Sequence, residues 1–307
     1  MRNTNTTKLV FPGLLLAALI SQTFCAHAAE RNVKFELETG TEYDSNLAVV
    51  ELDQYSAASD WAIVANARIH GQWKPTTKAS LKGGVSYNSK TWQDLSSYDL
   101  AIPQFFIDGN YDFSWATLGA SYHHANAKLD GTDFLTLQQS SVYVSRLFNK
   151  RVYLRGAVNY QEKDFPAFAE RNAHNLALGG DMFIFFNNAK TFVALGINRD
   201  DEEAIADHFG YNGTTLKTSI NHRFSLWDKE NKIQLGARYE DRDYAAVNPE
   251  LDAVRTDTRK IANIEWQIET TEWLTLATKL ERGDYQSNLE IADYSETLAS
   301  ITLKARF

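Results

Sequence analysis

The closing stretch Glu296–Phe307 sorts its side chains by twos. Phe307, Ala305, Leu303, Ile301, Ala299 and Thr297 share one face of an extended chain, and Arg306, Lys304, Thr302, Ser300 and Glu296 share the other. A helix would scatter these residues around its axis, whereas a strand alternates them. The same period governs most of the sequence. Val33, Phe35 and Leu37 oppose Lys34, Glu36 and Glu38, and Trp61, Ile63, Ala65, Ala67, Ile69 and Trp73 oppose Asn66, Arg68, His70 and Gln72. It returns at 79–88, 105–113, 116–122, 152–160, 176–186, 191–197, 216–226, 233–239, 260–268 and 274–280. Residues 134–148 are also strand-like, with an ambiguous apolar face. No stretch after Ala28 keeps a helical period, so the chain is expected to be all-β.

The connections sharpen this. Short ones at Lys74–Thr77, Ser114, Asn149-Lys150, Asn187–Ala189, Asp228–Asn231 and Glu269–Thr271 alternate with longer polar ones. The long set is Asp44–Asp60, Trp92–Ser97, Asn126–Asp133, Lys163–Glu170, Asp200–Gly210, Asp241–Thr256 and Tyr285–Asp293. Thirteen connections imply about 14 strands with both ends on the short-turn side. Short periplasmic turns, long external loops and an even strand count describe a closed antiparallel transmembrane β-barrel of the bacterial outer membrane. Aromatic residues fall into two belts. Trp73, Phe113, Trp115, Phe148, Phe186, Trp227, Trp273 and Phe307 lie beside the short turns, and Tyr43, Trp61, Tyr87, Tyr122, Tyr160, Tyr239 and Tyr285 lie near the long loops. A bilayer selects such girdles at its two interfaces. A last strand ending in Phe resembles the segment that the barrel assembly machinery reads, which makes Phe307 the expected insertion signal.

Arg2 and Lys8, the apolar run Leu9–Ile20 and the small-x-small site Ala26-His27-Ala28 read as a cleaved signal peptide, residues 1–28. Removing it from 307 residues leaves a barrel domain at 29–307, and the net charge goes from −8 to −10 with the loss of Arg2 and Lys8. The one cysteine, Cys25, leaves with the leader, so neither disulfides nor thiolate metal sites are expected. An acidic chain is a poor match for nucleic acid. The expected surroundings are outer-membrane lipid and lipopolysaccharide of a Gram-negative bacterium.

The polar faces must line the lumen. Candidate lining residues are the acidic Glu36, Glu38, Asp108, Asp181, Glu240 and Glu265, and the basic Arg68, Lys82, Arg151, Arg155, Arg223, Arg238, Arg259 and Lys304, with His70. Both signs occur, and no single-sign ring appears that would set ion selectivity. Ser121 and His123, two apart, could share the lumen face, but no nucleophile elbow surrounds Ser121 and no acidic orienting residue can be placed. The histidines show no metal-ligand spacing. The run Asp200–Glu203, with Asp207 nearby, is expected in an external loop, where carboxylates can hold divalent ions, although it matches no EF-hand. No catalytic residue, cofactor or metal is assigned, and the protein is not expected to be an enzyme.

Three motifs carry a resemblance. Tyr43-Asp-Ser-Asn46 closes the first strand before an acidic loop, Arg238-Tyr-Glu-Asp-Arg-Asp-Tyr244 leads into a long loop with Pro249, and Ser287-Asn288 precedes the last strand. Together they resemble the barrel domain of surface lipoprotein assembly modifiers and, more loosely, other outer-membrane barrels that open with Tyr-Asp-Ser-Asn. The resemblance spans the mature chain and implies a barrel that moves lipoproteins to the cell surface. The family's helical-repeat domain precedes its barrel. Here the first strand is expected directly after the cleavage site, so that domain is not expected.

The expected function is a transport conduit, either a diffusion pore for a small solute or a translocator-like barrel acting on a lipoprotein. The alternative is a non-conducting structural or adhesive barrel working through its external loops. A barrel hydrolase using Ser121 and His123 ranks third.

Overall fold

The computed structural model describes residues 30–307, so the expected leader and its cut after Ala28 lie outside the described residues. In chain order the strands are β1 (Glu30–Asp44), the short pair β2 (Leu47–Val49) and β3 (Gln54–Ser56), β4 (Asp60–Lys74), β5 (Ala79–Trp92) and β6 (Leu100–Asp112). There follow β7 (Thr117–Leu129), β8 (Thr132–Phe148), β9 (Val152–Asp164), β10 (Ala173–Phe186) and β11 (Thr191–Ala204). The last five are β12 (Tyr211–Leu226), β13 (Lys229–Asn248), β14 (Ala253–Glu269), β15 (Leu274–Ser287) and β16 (Tyr294–Arg306). All but β2 and β3 join in one closed antiparallel barrel of 14 strands, each paired with its sequence neighbour, and β1 closes on β16. The β2–β3 hairpin belongs to the first long loop.

Parity decides what each residue faces. Val33, Leu37, Trp61, Ile63, Ile69, Val85, Leu178, Ile197 and Ile301 are exposed on the outer wall, as a lipid-facing surface requires. Their neighbours in sequence point inward. Strand closure brings opposite charges together: Glu36 lies opposite Arg306 and Glu38 opposite Lys304. The resulting ion pairs, Arg306 Nε–Glu36 Oε1 and Lys304 Nζ–Glu38 Oε1, are both 3.6 Å. At the rim, Phe307 and Phe35 exchange backbone hydrogen bonds of 2.9 and 3.1 Å, and the Phe307 ring lies 6.1 Å from those of both Phe35 and Trp273. Gly40 is a point of close backbone approach in this seam. A Cβ there would sit 2.1 Å from the Ile301 carbonyl oxygen and 2.7 Å from the Thr302 Cα.

The barrel strands run 13 to 20 residues, longer than the roughly 9–11 a tilted strand needs to cross a bilayer. The excess lies at the long-loop end and shortens several expected loops. Asn126–Asp133 is not a long loop: β7 and β8 meet in the two-residue turn Asp130-Gly131, where both residues have positive φ, and a register shift follows Ala127. Asp241–Thr256 is mostly strand, interrupted only by a register shift after Asp243 and a turn at 249–252. Asp200–Glu203 also lies within a strand, β11. The short-turn end matches expectation more closely. Trp227 and Asp228 form a two-residue hairpin with φ of 55° and 54°, the handedness that suits the twist of the flanking strands. Asn231 braces this turn, donating 3.0 Å hydrogen bonds to the Leu226 and Lys229 carbonyls and accepting one from Trp266 Nε1. One belt residue is corrected. Tyr285 shares parity with the inward Lys279, not with the outward Leu280, so its ring stacks on Tyr294 in the lumen, 4.5 Å away.

Candidate functional site: a latched barrel mouth

The Tyr43-Asp-Ser-Asn46 motif ends β1 and turns the chain inward. Tyr43 stays on the outer wall against Trp61, at 5.3 Å. Asp44 Oδ1 accepts the Asn46 N–H, forming a local turn of the kind Asp favours. Ser45 clasps β16: its N–H donates to the Thr297 carbonyl, and its Oγ accepts the Thr297 N–H at 2.8 Å. Asn46 Nδ2 donates to the Ser295 carbonyl. Asp60, at the far end of the loop, accepts backbone N–H groups of Trp61, Asp94 and Leu95, tying the first loop to the second.

Between these anchors the loop folds over the mouth. Leu47 packs into a buried cluster with Ala62 and Trp92, and Leu52 into another with Ala127, Phe134, Leu135 and Phe165. Tyr55 stacks on Tyr294, centroids 5.1 Å apart. The loop therefore rests on its own side of the barrel and also reaches the ends of β7–β9, several strands around the wall.

Its acidic tip meets a basic collar. Glu51 Oε2 is 3.2 Å from Lys163 Nζ on β9, which also binds Glu202 of β11 at 2.9 Å. Asp53, with left-handed φ of 53°, accepts from Arg171 at 2.9 Å and from Arg255 on β14 at 2.9 Å. Arg255 is only 1% exposed, chelates Asp257 with two 2.8 Å hydrogen bonds, and stacks over Tyr244 at 4.6 Å. Arg259 bridges Asp257 and Glu240, and Glu240 also receives Arg238 and Arg242. The Lys163 charge holds the Glu51 carboxyl below its ordinary range. Burial pushes Asp53 upward, but the Arg255 and Arg171 guanidiniums outweigh it and leave it below the usual carboxylate value. Buried charges survive only when paired and hydrogen-bonded in this way.

The other motifs are absorbed into the same mouth. In 238–244 the inward residues are Arg238, Glu240, Arg242 and Tyr244, while Tyr239, Asp241 and Asp243 face outward. Ser287 Oγ donates to Asp257, and Asn288 bonds the backbone of Thr256 and Val254.

The candidate lining residues have inward parity on their strands: Glu36, Glu38, Arg68, His70, Lys82, Asp108, Arg155, Asp181, Arg223, Arg238, Glu240, Arg259, Glu265 and Lys304. Arg151 lies in the turn before β9. They are not one cluster. Arg238, Glu240 and Arg259 join the mouth network. Glu36, Glu38, Glu265 and Lys304 line the β1–β16 side of the seam. Arg155 and Asp181 pair at 4.0 Å, and Asp108 accepts Tyr143 Oη. Arg68 lies over the Phe106 ring at 5.3 Å. Ser121 and His123 do share the lumen face, but the His123 ring stacks on Phe106 at 5.7 Å, and no hydrogen bond joins them among the described residues. His124 points outward, onto Phe105. The Asp200–Glu203 run splits, with Asp200 and Glu202 inward and Asp201 and Glu203 outward, so it cannot converge on one ion. Sequence reasoning missed Lys163, Arg171, Arg242, Arg255, Glu51 and Asp53. The acidic loop was visible, but not that it folds inward.

The chain is similar to an anion-selective porin from Comamonas acidovorans, with TM-score 0.55 and 6% identity, covering 91% of this chain and 100% of that one. It is also similar to outer-membrane expressed OmpT of Vibrio cholerae, with TM-score 0.55 and 8% identity, covering 93% and 100%. The fold is that of outer-membrane β-barrels. CdiB from Acinetobacter baumannii is a further likeness, with TM-score 0.51 and 13% identity, covering 89% of this chain and 60% of that one. At such identities the likeness extends to the fold alone. No protein-family model matches the sequence, and no curated protein matches it. The comparisons thus support the barrel common to these proteins and do not single out the surface lipoprotein assembly modifiers.

Proposed function

We propose that the protein is an outer-membrane conduit whose external mouth is held closed by its first loop. One observation carries this: a charged, polar-lined barrel of 14 strands is bridged by a loop whose Glu51 and Asp53 pair with β9 and β14. Fourteen strands give a lumen between the side-chain-filled case of about eight and the open porins of about 16. Polar interiors suit water and solute, and the outward apolar face suits lipid. In this reading the short turns face the periplasm, the long loops face the exterior, and Phe307 serves the assembly machinery. The surface lipoprotein translocator is a narrower form of the same reading, supported by the three motifs.

A second reading has its own observation. The ion-pair chain from Asp53 through Arg255, Asp257, Arg259 and Glu240 stiffens the mouth as a structural or adhesive barrel would need. Planar-bilayer recording separates the two. The conduit reading expects small or intermittent currents from the refolded wild type, and larger ones from Glu51→Gln/Asp53→Asn. If neither conducts while both show the heat-modifiable migration of a folded barrel, the structural reading replaces it.

A further inference from the structure

We propose that this lumen binds anionic solutes on β12 and β13, so that small molecules carrying several carboxylates or phosphates are the substrate class of the conduit; the inference deepens that reading and rests on it for the word substrate.

The strand register is the first observation. Lys217 of β12 lies directly opposite Arg238 of β13, and Arg223 directly opposite Lys232, all four with inward parity. Like charges facing each other across a sheet oppose pairing, and sheets ordinarily place opposite charges there. Arg238 is offset by Glu240. The side chains of Lys217, Arg223 and Lys232 make no hydrogen bond or ion pair among the described residues. The inward positions of β12 supply no carboxylate: they are Tyr211, Gly213, Thr215, Lys217, Ser219, Asn221 and Arg223. On the β11 side Lys217 faces Gly196, over which the Asp181 carboxylate of β10 reaches, and that carboxylate pairs with Arg155 at 4.0 Å. Lys217 and Arg223 are exposed, so their ammonium and guanidinium groups stand in the lumen.

The second observation is the loop tip. The basic wall continues upward on β13 and β14 to Arg242 and Arg255, and there the protein's own Glu51 and Asp53 occupy the mouth. Two carboxylates are held in place at its external end by Lys163, Arg171 and Arg255. Below them on these strands, the next cations without an ion pair among the described residues are Lys217 and then Arg223 and Lys232, with Glu265 of β14 the carboxylate nearby. Lys217 and Arg223 are six residues apart on one strand, about 20 Å at roughly 3.3 Å per residue. Two weak stations in series suit transit, because each must hold an anion and also release it. Exposed lysine and arginine provide this: their attraction is modest and screened by salt.

The test uses the refolded barrel with Glu51→Gln/Asp53→Asn, in which the collar's own carboxylates are neutral. Tripolyphosphate binding is measured by titration calorimetry in detergent, and current block by the same anion in planar bilayers. Lys217→Gln/Arg223→Gln/Lys232→Gln, added to that background, should weaken binding at least about tenfold and raise the half-blocking concentration similarly. The anion-to-cation permeability ratio should also fall in a salt gradient. As a charge-neutral control, Ser219→Ala/Asn221→Ala on the same face should leave the affinity within about twofold. Equal affinity with and without the three cations overturns the inference, even if the barrel conducts. Binding that depends on them in a barrel that never conducts upholds the anion site and removes the conduit.

Discussion

Glu51→Gln/Asp53→Asn should release the first loop. The substitutions keep side-chain size and remove only charge from the contacts to Lys163 at 3.2 Å and to Arg171 and Arg255 at 2.9 Å. Hydrogen bonds to charged groups contribute roughly 1.5–3 kcal/mol each. The wall keeps fallback partners, since Lys163 still has Glu202 and Arg255 still has Asp257. The loss to docking therefore falls below the roughly 3–5 kcal/mol of a buried pair broken with no fallback, at about 1.5–3 kcal/mol. At about 1.4 kcal/mol per decade, the undocked fraction should rise at least tenfold. Acid should act in the same direction. Both carboxyls are held below their ordinary values in the docked state, so docking is favoured fully above pH 4.5 and the advantage is lost as pH falls through the lowered values. Single-channel recording should show more frequent or longer openings in the variant at neutral pH, and in the wild type only under acid. A cleavable bifunctional thiol reagent joining cysteines that replace Tyr55 and Tyr294, whose rings stack at 5.1 Å, should hold the loop down and abolish both effects until cleaved. Identical currents in wild type, variant and cross-linked protein across that pH range would refute the latch.

Three further predictions concern the barrel itself. Cysteines placed at 205–210 or 249–252 should react with an impermeant reagent on intact cells, and cysteines at Asn149 or Asn187 should not; the reverse pattern would invert the topology. Gly40→Ala pushes a methyl into the Ile301 carbonyl and should cost roughly 1–3 kcal/mol, read as a lower temperature for loss of the folded band; an unchanged temperature would mean that the seam is looser than described. Phe307→Ala removes the ring contacts to Phe35 and Trp273, at roughly 0.5–1.5 kcal/mol each, and should reduce assembled protein in the outer membrane; normal levels would separate Phe307 from assembly.

Much of this molecule is readable from residue order because a strand's alternation is local. The backbone sends successive side chains to opposite faces whatever lies elsewhere, so the sequence alone assigned outer and inner faces, whereas the pairing of Glu36 with Arg306 and of Glu38 with Lys304 came only with the closure of β1 on β16. Even the misassigned Tyr285 was decidable by parity with Leu280, five residues earlier. Strand ends were less legible, because Asp130-Gly131 and the polar residues of β13 are equally compatible with a loop and with a hairpin standing above the membrane. The latch was not legible at all. Asp53 and Arg255 are 202 residues apart, and Glu51 and Lys163 are 112 apart. Only closure of the wall brings β9 and β14 around the mouth within reach of a loop from β1. Register is likewise a tertiary decision, since no local rule says that Lys217 will meet Arg238 rather than a carboxylate two residues along. The faces were fixed by backbone sterics within each strand, whereas the site was fixed by the way fourteen strands close on one another.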